Sequence, residues 1–145
     1  MHDLKPVTFV VPGEPVGKGR PRVGKVGNHA RLFTPEKTVS YEGLIAHTAQ
    51  QAMRGRALIA GPVMVELFIT VSVPQSWSKK RKLQALAGQI FPTKKPDKDN
   101  IIKAIYDGLN GVVWVDDVQA VDGHQRKRYG ETPGVSVRVV PLVTE

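Results

Sequence analysis

The chain has 145 residues, with 21 Lys and Arg against 13 Asp and Glu, for a formal net charge of +8. That length suits one domain with a modest core, and the basic excess predicts an anionic partner, nucleic acid before a membrane surface. The absence of cysteine excludes disulfides, thiolate zinc sites and thiol nucleophiles.

In chain order, Val7–Val11 is a β-rich run stopped by Pro12-Gly13 and predicts a first strand. Residues 13–25 are rich in Gly and Pro and carry Lys18, Arg20, Arg22 and Lys25. They predict an irregular, mobile basic loop able to grip phosphates, with a solvated turn as the plainer alternative. Arg31–Thr34 predicts a short strand. Thr34-Pro35-Glu36 then opens a helix over about residues 35–54, with Thr34 as cap and Pro35 in the first position. Its apolar positions are Leu44, Ile45, Ala49, Ala52 and Met53, and Gly55 stops it. Tyr41 and His47 on that helix are expected in core or surface rather than in catalysis.

Residues 62–74 give the clearest strand, alternating at Val63, Val65, Leu67, Ile69 and Val71 between two prolines. Glu66 interrupts the pattern, as a solvated residue of the open face or as a further acid toward a metal. A helix capped by Ser78 follows, with Lys79, Lys80, Arg81 and Lys82 in succession, and ends at Gly88. Trp77 before it is expected to pack on the sheet. Pro92 and Pro96 keep residues 89–98 extended. A helix begins near Asp99 or Asn100 and stops at Asn110-Gly111. Asp116-Asp117 forms a turn followed by Val118–Asp122, Gln125–Arg128 is expected on a strand facing DNA, and Val135–Val140 is a last strand. The pattern is α+β: one domain, residues 1–145, with a mixed β-sheet packed with about three helices.

Chemistry concentrates in residues 94–117. Asp97 and Asp99, two apart in a segment read as extended, point the same way. Lys103 falls one helical turn after Asp99, and Asp116 or Asp117 can complete a pocket of three carboxylates. Such a cluster repels itself unless a cation binds. The scattered histidines (His2, His29, His47, His124) offer no ligand pair, so any metal falls to oxygen ligands, which favours Mg²⁺ or Mn²⁺. Mg²⁺ accepts phosphate oxygens and can stabilise charge in an in-line phosphoryl displacement. Helix capping by Asp97 or Asp99, and an ordinary turn at Asp116-Asp117, explain the same acids without a metal.

The run from Lys95-Pro96-Asp97-Lys98-Asp99-Asn100 through Lys103 to Asn110, followed by Trp114-Val115-Asp116-Asp117-Val118-Gln119, resembles the RusA family of Holliday junction resolvases. These are found in bacteria and their phages and prophages. Pro12–Pro15, Lys18–Arg22, Thr34-Pro35-Glu36 and Ser76–Lys80 extend the similarity to phage-type members over nearly the whole chain. The resemblance implies a homodimeric, Mg²⁺-dependent endonuclease that makes paired symmetric cuts in four-way DNA junctions. By position it assigns metal binding to Asp97, Asp99 and Asp117, catalysis to these and Lys103, and support to Asn100 and Gln119. It marks Lys127 as a basic residue of the following strand that contacts DNA. Lys18, Arg20, Arg22, Lys94 and Lys95 are expected on DNA as well. Lys98 stands where the family usually has an apolar residue, and Asp122-Gly123-His124 is expected to interrupt the strand after the acidic pair. A nuclease for forks or flaps, and a DNA-binding module without catalysis, are the rival readings. No apolar run is long enough for a membrane span, and the N-terminus lacks the apolar core of a signal peptide, so a cytoplasmic location is expected.

Overall fold

The computed structural model describes residues 4–19, 22–27, 29–33 and 35–143. Among them the elements run β1 (Val7–Pro12), β2 (Arg22–Val26), β3 (His29–Phe33), α1 (Glu36–Met53), β4 (Val63–Val71), α2 (Lys79–Leu86), α3 (Lys98–Leu109), β5 (Ala120–Tyr129) and β6 (Gly134–Pro141). Four strands form one mixed sheet in the order β1-β6-β4-β5. β6 is antiparallel to both β1 and β4, whereas β5 is parallel to β4. A parallel neighbour needs a crossover, and residues 72–119, which carry α2 and α3, supply it. This is the α+β arrangement, a single domain with a mixed sheet and three helices, that the patterning predicts.

β4 forms because its alternation matches the pleat. Val63, Val65, Leu67, Ile69 and Val71 are buried, while Met64, Glu66, Phe68 and Thr70 lie half-buried on the other face. Val7, Phe9, Val11, Val135, Val137 and Val139 join the buried face from β1 and β6. Glu66 pairs with Arg138 of β6 at 2.9 Å, so it serves the open face of the sheet.

α1 lays Tyr41, Ile45, Ala49 and Met53 along one buried stripe, four residues apart as helical geometry requires. Pro35 stands just before the helix, one position earlier than predicted, and Thr34 lies outside the described residues. The helix ends on Arg54 in the left-handed region, with Gly55 (φ +77°) completing the stop. α3 buries Ile101, Ala104, Ile105, Gly108 and Leu109. The two helices touch at Gly108, where a Cβ would stand 2.7 Å from Ile45 Cγ2. Gly108→Val is therefore expected to cost about 1–3 kcal/mol by overpacking, measured as a lower urea midpoint with unchanged slope.

Two stretches depart from expectation. Residues 22–25 of the supposedly irregular loop, together with Val26, form β2, paired with β3 in a two-stranded sheet. Gly27 (φ +64°) sits in the connection, the conformation glycine adopts freely. β5 is one continuous strand of ten residues, and Asp122-Gly123-His124 does not break it. The register slips past Val121 and then runs unbroken from Met64↔Asp122 to Val71↔Tyr129. Gly123 makes room on the core side: a Cβ there would meet Gln125 Nε2 at 2.7 Å and lie 3.8 Å from the Tyr106 hydroxyl. Among the described residues no helix is long and apolar enough to cross a membrane.

Candidate active site

α3 starts at Lys98, one or two residues before the predicted start at Asp99 or Asn100. Asp97 is its N-cap residue and Asp99 lies within its first turn, so the strand-like alignment expected for these two acids does not occur. Asp97 accepts the Ile101 N–H through its backbone carbonyl at 3.1 Å, but its carboxylate makes no capping hydrogen bond. The carboxylates of Asp97 and Asp99 have no ion-pair partner among the described residues, and both residues are exposed. From Asp99, steps of four along the helix reach Lys103 and Asp107 on the same face. Lys103 Nζ lies 3.3 Å from Asp107 Oδ1 and 4.0 Å from Asp117 Oδ2. Asp117 is thus brought to the α3 stripe through Lys103. As the side chains stand, no three acid or histidine residues among the described residues are gathered around one point that could hold a metal.

The turn carrying Asp117 is a short 3-10 helix over Asp117–Gln119, so Val118 and Gln119 precede the strand instead of opening it, and it is firmly built. Trp114 is fully buried and its indole N–H donates to Asn110 Oδ1 at 2.6 Å. The Gly111 N–H bonds the Trp114 carbonyl at 2.8 Å, and the Ile59 N–H bonds the Val113 carbonyl at 2.8 Å. Gln119 finishes the construction. Its Oε1 accepts the Val115 and Asp116 N–H groups, each at 3.0 Å, and its Nε2 donates to the carbonyls of Ile59 (2.7 Å) and Gly61 (2.9 Å). Gln119→Glu keeps the shape but sets a carboxylate oxygen against two carbonyls. Its expected cost is about 1–3 kcal/mol, read in thermal melts, with DNA cleavage falling as Asp117 loses its seat.

Asp117 is electrostatically crowded. A hydrogen bond with the Asp116 side chain, followed by burial, holds its carboxyl above the usual carboxylate range, and the Lys103 ammonium pulls it back down. Tyr106, T-shaped against Trp114 at 5.3 Å, has its hydroxyl pushed up by burial and then by the Asp117 charge.

The basic residues expected on DNA divide. Lys18 belongs to a segment docked against α1 and α3. Its N–H bonds the Asn100 carbonyl at 2.9 Å, the next residue's N–H bonds Thr38 Oγ1 at 2.9 Å, and Gly17 packs where a Cβ would stand 3.0 Å from Pro96 Cβ. Lys18 Nζ then bridges Glu42 at 2.5 Å and Asp107 at 3.1 Å. The hydrogen bond to Glu42 raises its pKa most. Lys18 is committed to carboxylates, and this part of the loop is a strap across α3 rather than a mobile grip. Asn100 contributes to it through its backbone carbonyl. Arg20 lies outside the described residues, and Arg22 opens β2. Lys94 and Lys95 are exposed. Lys127 reaches from β5 to the backbone carbonyls of Lys94 and Pro96, the latter at 2.8 Å, and so ties down the segment leading into Asp97. Trp77 packs T-shaped against Tyr129 of β5 at 5.3 Å, as expected, and Arg81 stacks over its ring at 3.9 Å.

Asp107 and Glu42 are additions to the predicted set. Asp107 had a visible signal, since Asp99, Lys103 and Asp107 recur at helical spacing. Glu42 had none, because 24 residues separate it from Lys18.

A helix start whose carboxylates have no ion-pair partner among the described residues, a lysine one turn on, and an acidic turn held against it thus lie on one face of a basic chain. The profile of the Endodeoxyribonuclease RusA family matches residues 12–140, and the chain belongs to that family. A protein of Bacillus subtilis (strain 168), named uncharacterized protein YqaN, is 37% identical over 135 residues, covering 92% of this chain and 94% of its own length.

Proposed function

We propose that the protein is a metal-dependent endodeoxyribonuclease that resolves four-way DNA junctions by paired symmetric nicking, acting as a homodimer. Family membership supports the reaction class. The observation that carries the site is Lys103, poised between Asp107 and Asp117 one turn beyond Asp99.

The donor chemistry fits a hard divalent cation. Asp97, Asp99 and Asp117 offer carboxylate oxygens, and two of them have no cationic partner among the described residues. Bound there, Mg²⁺, or Mn²⁺ in its place, supplies Lewis-acid charge at the scissile phosphate and acidifies water in the site. The chain's own groups do the rest. Lys103 sets a positive charge where negative charge develops on the phosphate oxygens. Asp107 and Asp117 hold that ammonium, and Lys18 with Glu42 holds Asp107. Gln119 fixes the turn of Asp117, and Lys127 fixes the segment before Asp97. Two copies related by a twofold axis match the symmetry of a four-way junction.

The test uses labelled junction, fork, flap and linear duplex DNA with Mg²⁺, with Mn²⁺ and with chelator. The expected result is two symmetric, ligatable nicks in the junction, dependent on the cation, from a protein that runs as a dimer. Preferential cutting of forks or flaps, or binding without cutting, would reject the assignment.

A further inference from the structure

We infer that a groove beside the candidate active site, between residues 92–98 and β5, seats the phosphate backbone of a DNA strand through Arg126 and Arg128. This rests on the proposed action on DNA and adds where one strand lies. The groove encloses about 600 Å³, and its charged lining is Lys94, Lys98, Arg126, Lys127 and Arg128 against the single carboxylate of Asp97. Asp97 thus connects it to the active-site face.

Three observations set these cations apart from a merely solvated charge run. First, none of Lys94, Lys98, Arg126 and Arg128 pairs with a carboxylate among the described residues, whereas Lys18, Lys103 and Arg138 all do. The groove's positive charge is left for an outside anion. Second, both guanidinium groups are held in place by aromatic rings. Arg126 Cζ lies 4.5 Å from the centroid of Phe68, and Arg128 Cζ lies 4.8 Å from that of Phe91, a ring that is 55% exposed. Arg128 also donates to the Lys127 carbonyl at 3.0 Å. Stacking holds the guanidinium plane and leaves N–H edges for oxyanions. Third, Arg126 and Arg128 are alternate residues of one strand. They project to the open face of the sheet beside Phe68 and Thr70, while Lys127 turns to the core side. Their backbones are about 6.7 Å apart, a step comparable to that between successive phosphates of a nucleic-acid strand.

The test is junction binding at several salt concentrations with divalent cations omitted, so that nothing is cut. For Arg126→Gln/Arg128→Gln the expected result is an affinity about tenfold weaker at moderate salt, with the slope of log K against log salt reduced by about 2. Arg126→Lys/Arg128→Lys restores the slope but only part of the affinity, because charge returns without the stacked fork. Phe91→Leu, which leaves both arginines in place but unseats Arg128, gives an intermediate loss. Melting curves of each variant separate lost contacts from lost fold; if the glutamine pair melts early, the lysine pair and Phe91→Leu carry the test. An unchanged salt slope in a folded glutamine variant overturns the groove while leaving the nuclease assignment standing. A wild-type protein with no affinity for DNA overturns that assignment itself.

Discussion

Asp99→Asn is expected to lower DNA cleavage by at least about 10³-fold, equivalent to about 4 kcal/mol of transition-state stabilisation, while junction binding holds or tightens slightly. The reason lies in where Asp99 stands. It is exposed, lies in the first turn of α3, and makes no ion pair among the described residues. Its contribution to folding is limited to the favourable placement of negative charge near a helix N-terminus, about 0.3–1 kcal/mol. The substitution keeps size and shape and removes only charge, so the fold survives. Removing a negative charge from a surface proposed to meet phosphates is not expected to weaken binding. Gel-shift and single-turnover cleavage assays on the same junction measure the two effects separately. A variant that still cuts at the normal rate would remove Asp99 from the proposed metal site.

Lys103→Met is the second large effect, an expected loss of about 10²-fold in turnover. The Lys103 side chain is 58% exposed, and surface ion pairs contribute about 0–1 kcal/mol, so thermal stability should change little. The pH dependence distinguishes electrostatic action from bulk. The Asp117 carboxyl is already held above its ordinary range, chiefly by the hydrogen bond with Asp116, and Lys103 opposes that rise. Without the ammonium, the carboxyl moves further up. On the proposed metal-dependent mechanism cleavage needs the carboxylate form, so the acid limb of the pH–rate profile should move to higher pH in Lys103→Met. For stability the sign is opposite. A carboxyl whose folded pKa is raised favours the fold below its unfolded pKa, and loses that contribution as pH rises through the raised value. Loss of Lys103 should therefore extend this gain of stability in acid to higher pH. A pH–rate profile that falls in height without shifting would assign Lys103 to positioning rather than to charge.

Some of this architecture is legible in the residues alone because a single local rule decides it. β4 alternates between a buried and an open face, and α3 carries Ile101, Ala104, Ile105 and Leu109 at helical spacing. Asp97, Asp99, Lys103 and the pair Asp116-Asp117 stand out as acids and a lysine concentrated in a basic chain, and only the family resemblance singles out Asp117 from its neighbour. What escapes depends on distant partners. β2 contains Gly24 and follows a run of Gly and Pro, and it becomes a strand by pairing with β3. β5 reads as broken because its residues are charged and Gly123 lies within it, yet β4 templates it along almost its whole length. Lys18 reads as a phosphate contact because its only visible context is a basic loop. Glu42 and Asp107, which claim its ammonium, come from α1 and α3. The same blindness makes Lys127 look like a simple DNA residue when its Nζ ties two carbonyls of the preceding loop.

β5 is the last strand of its sheet, with a parallel partner on one side only. A ten-residue border of that kind offers free backbone groups that invite another chain to add on, the usual route to uncontrolled polymerisation. Arg126, Lys127 and Arg128 lie together on this border, and a second copy added in parallel register would set like charges opposite one another. Like charges of this kind disfavour such addition, besides lining the groove proposed for DNA. Exchanging them wholesale for apolar residues should produce aggregates before it produces a weak binder.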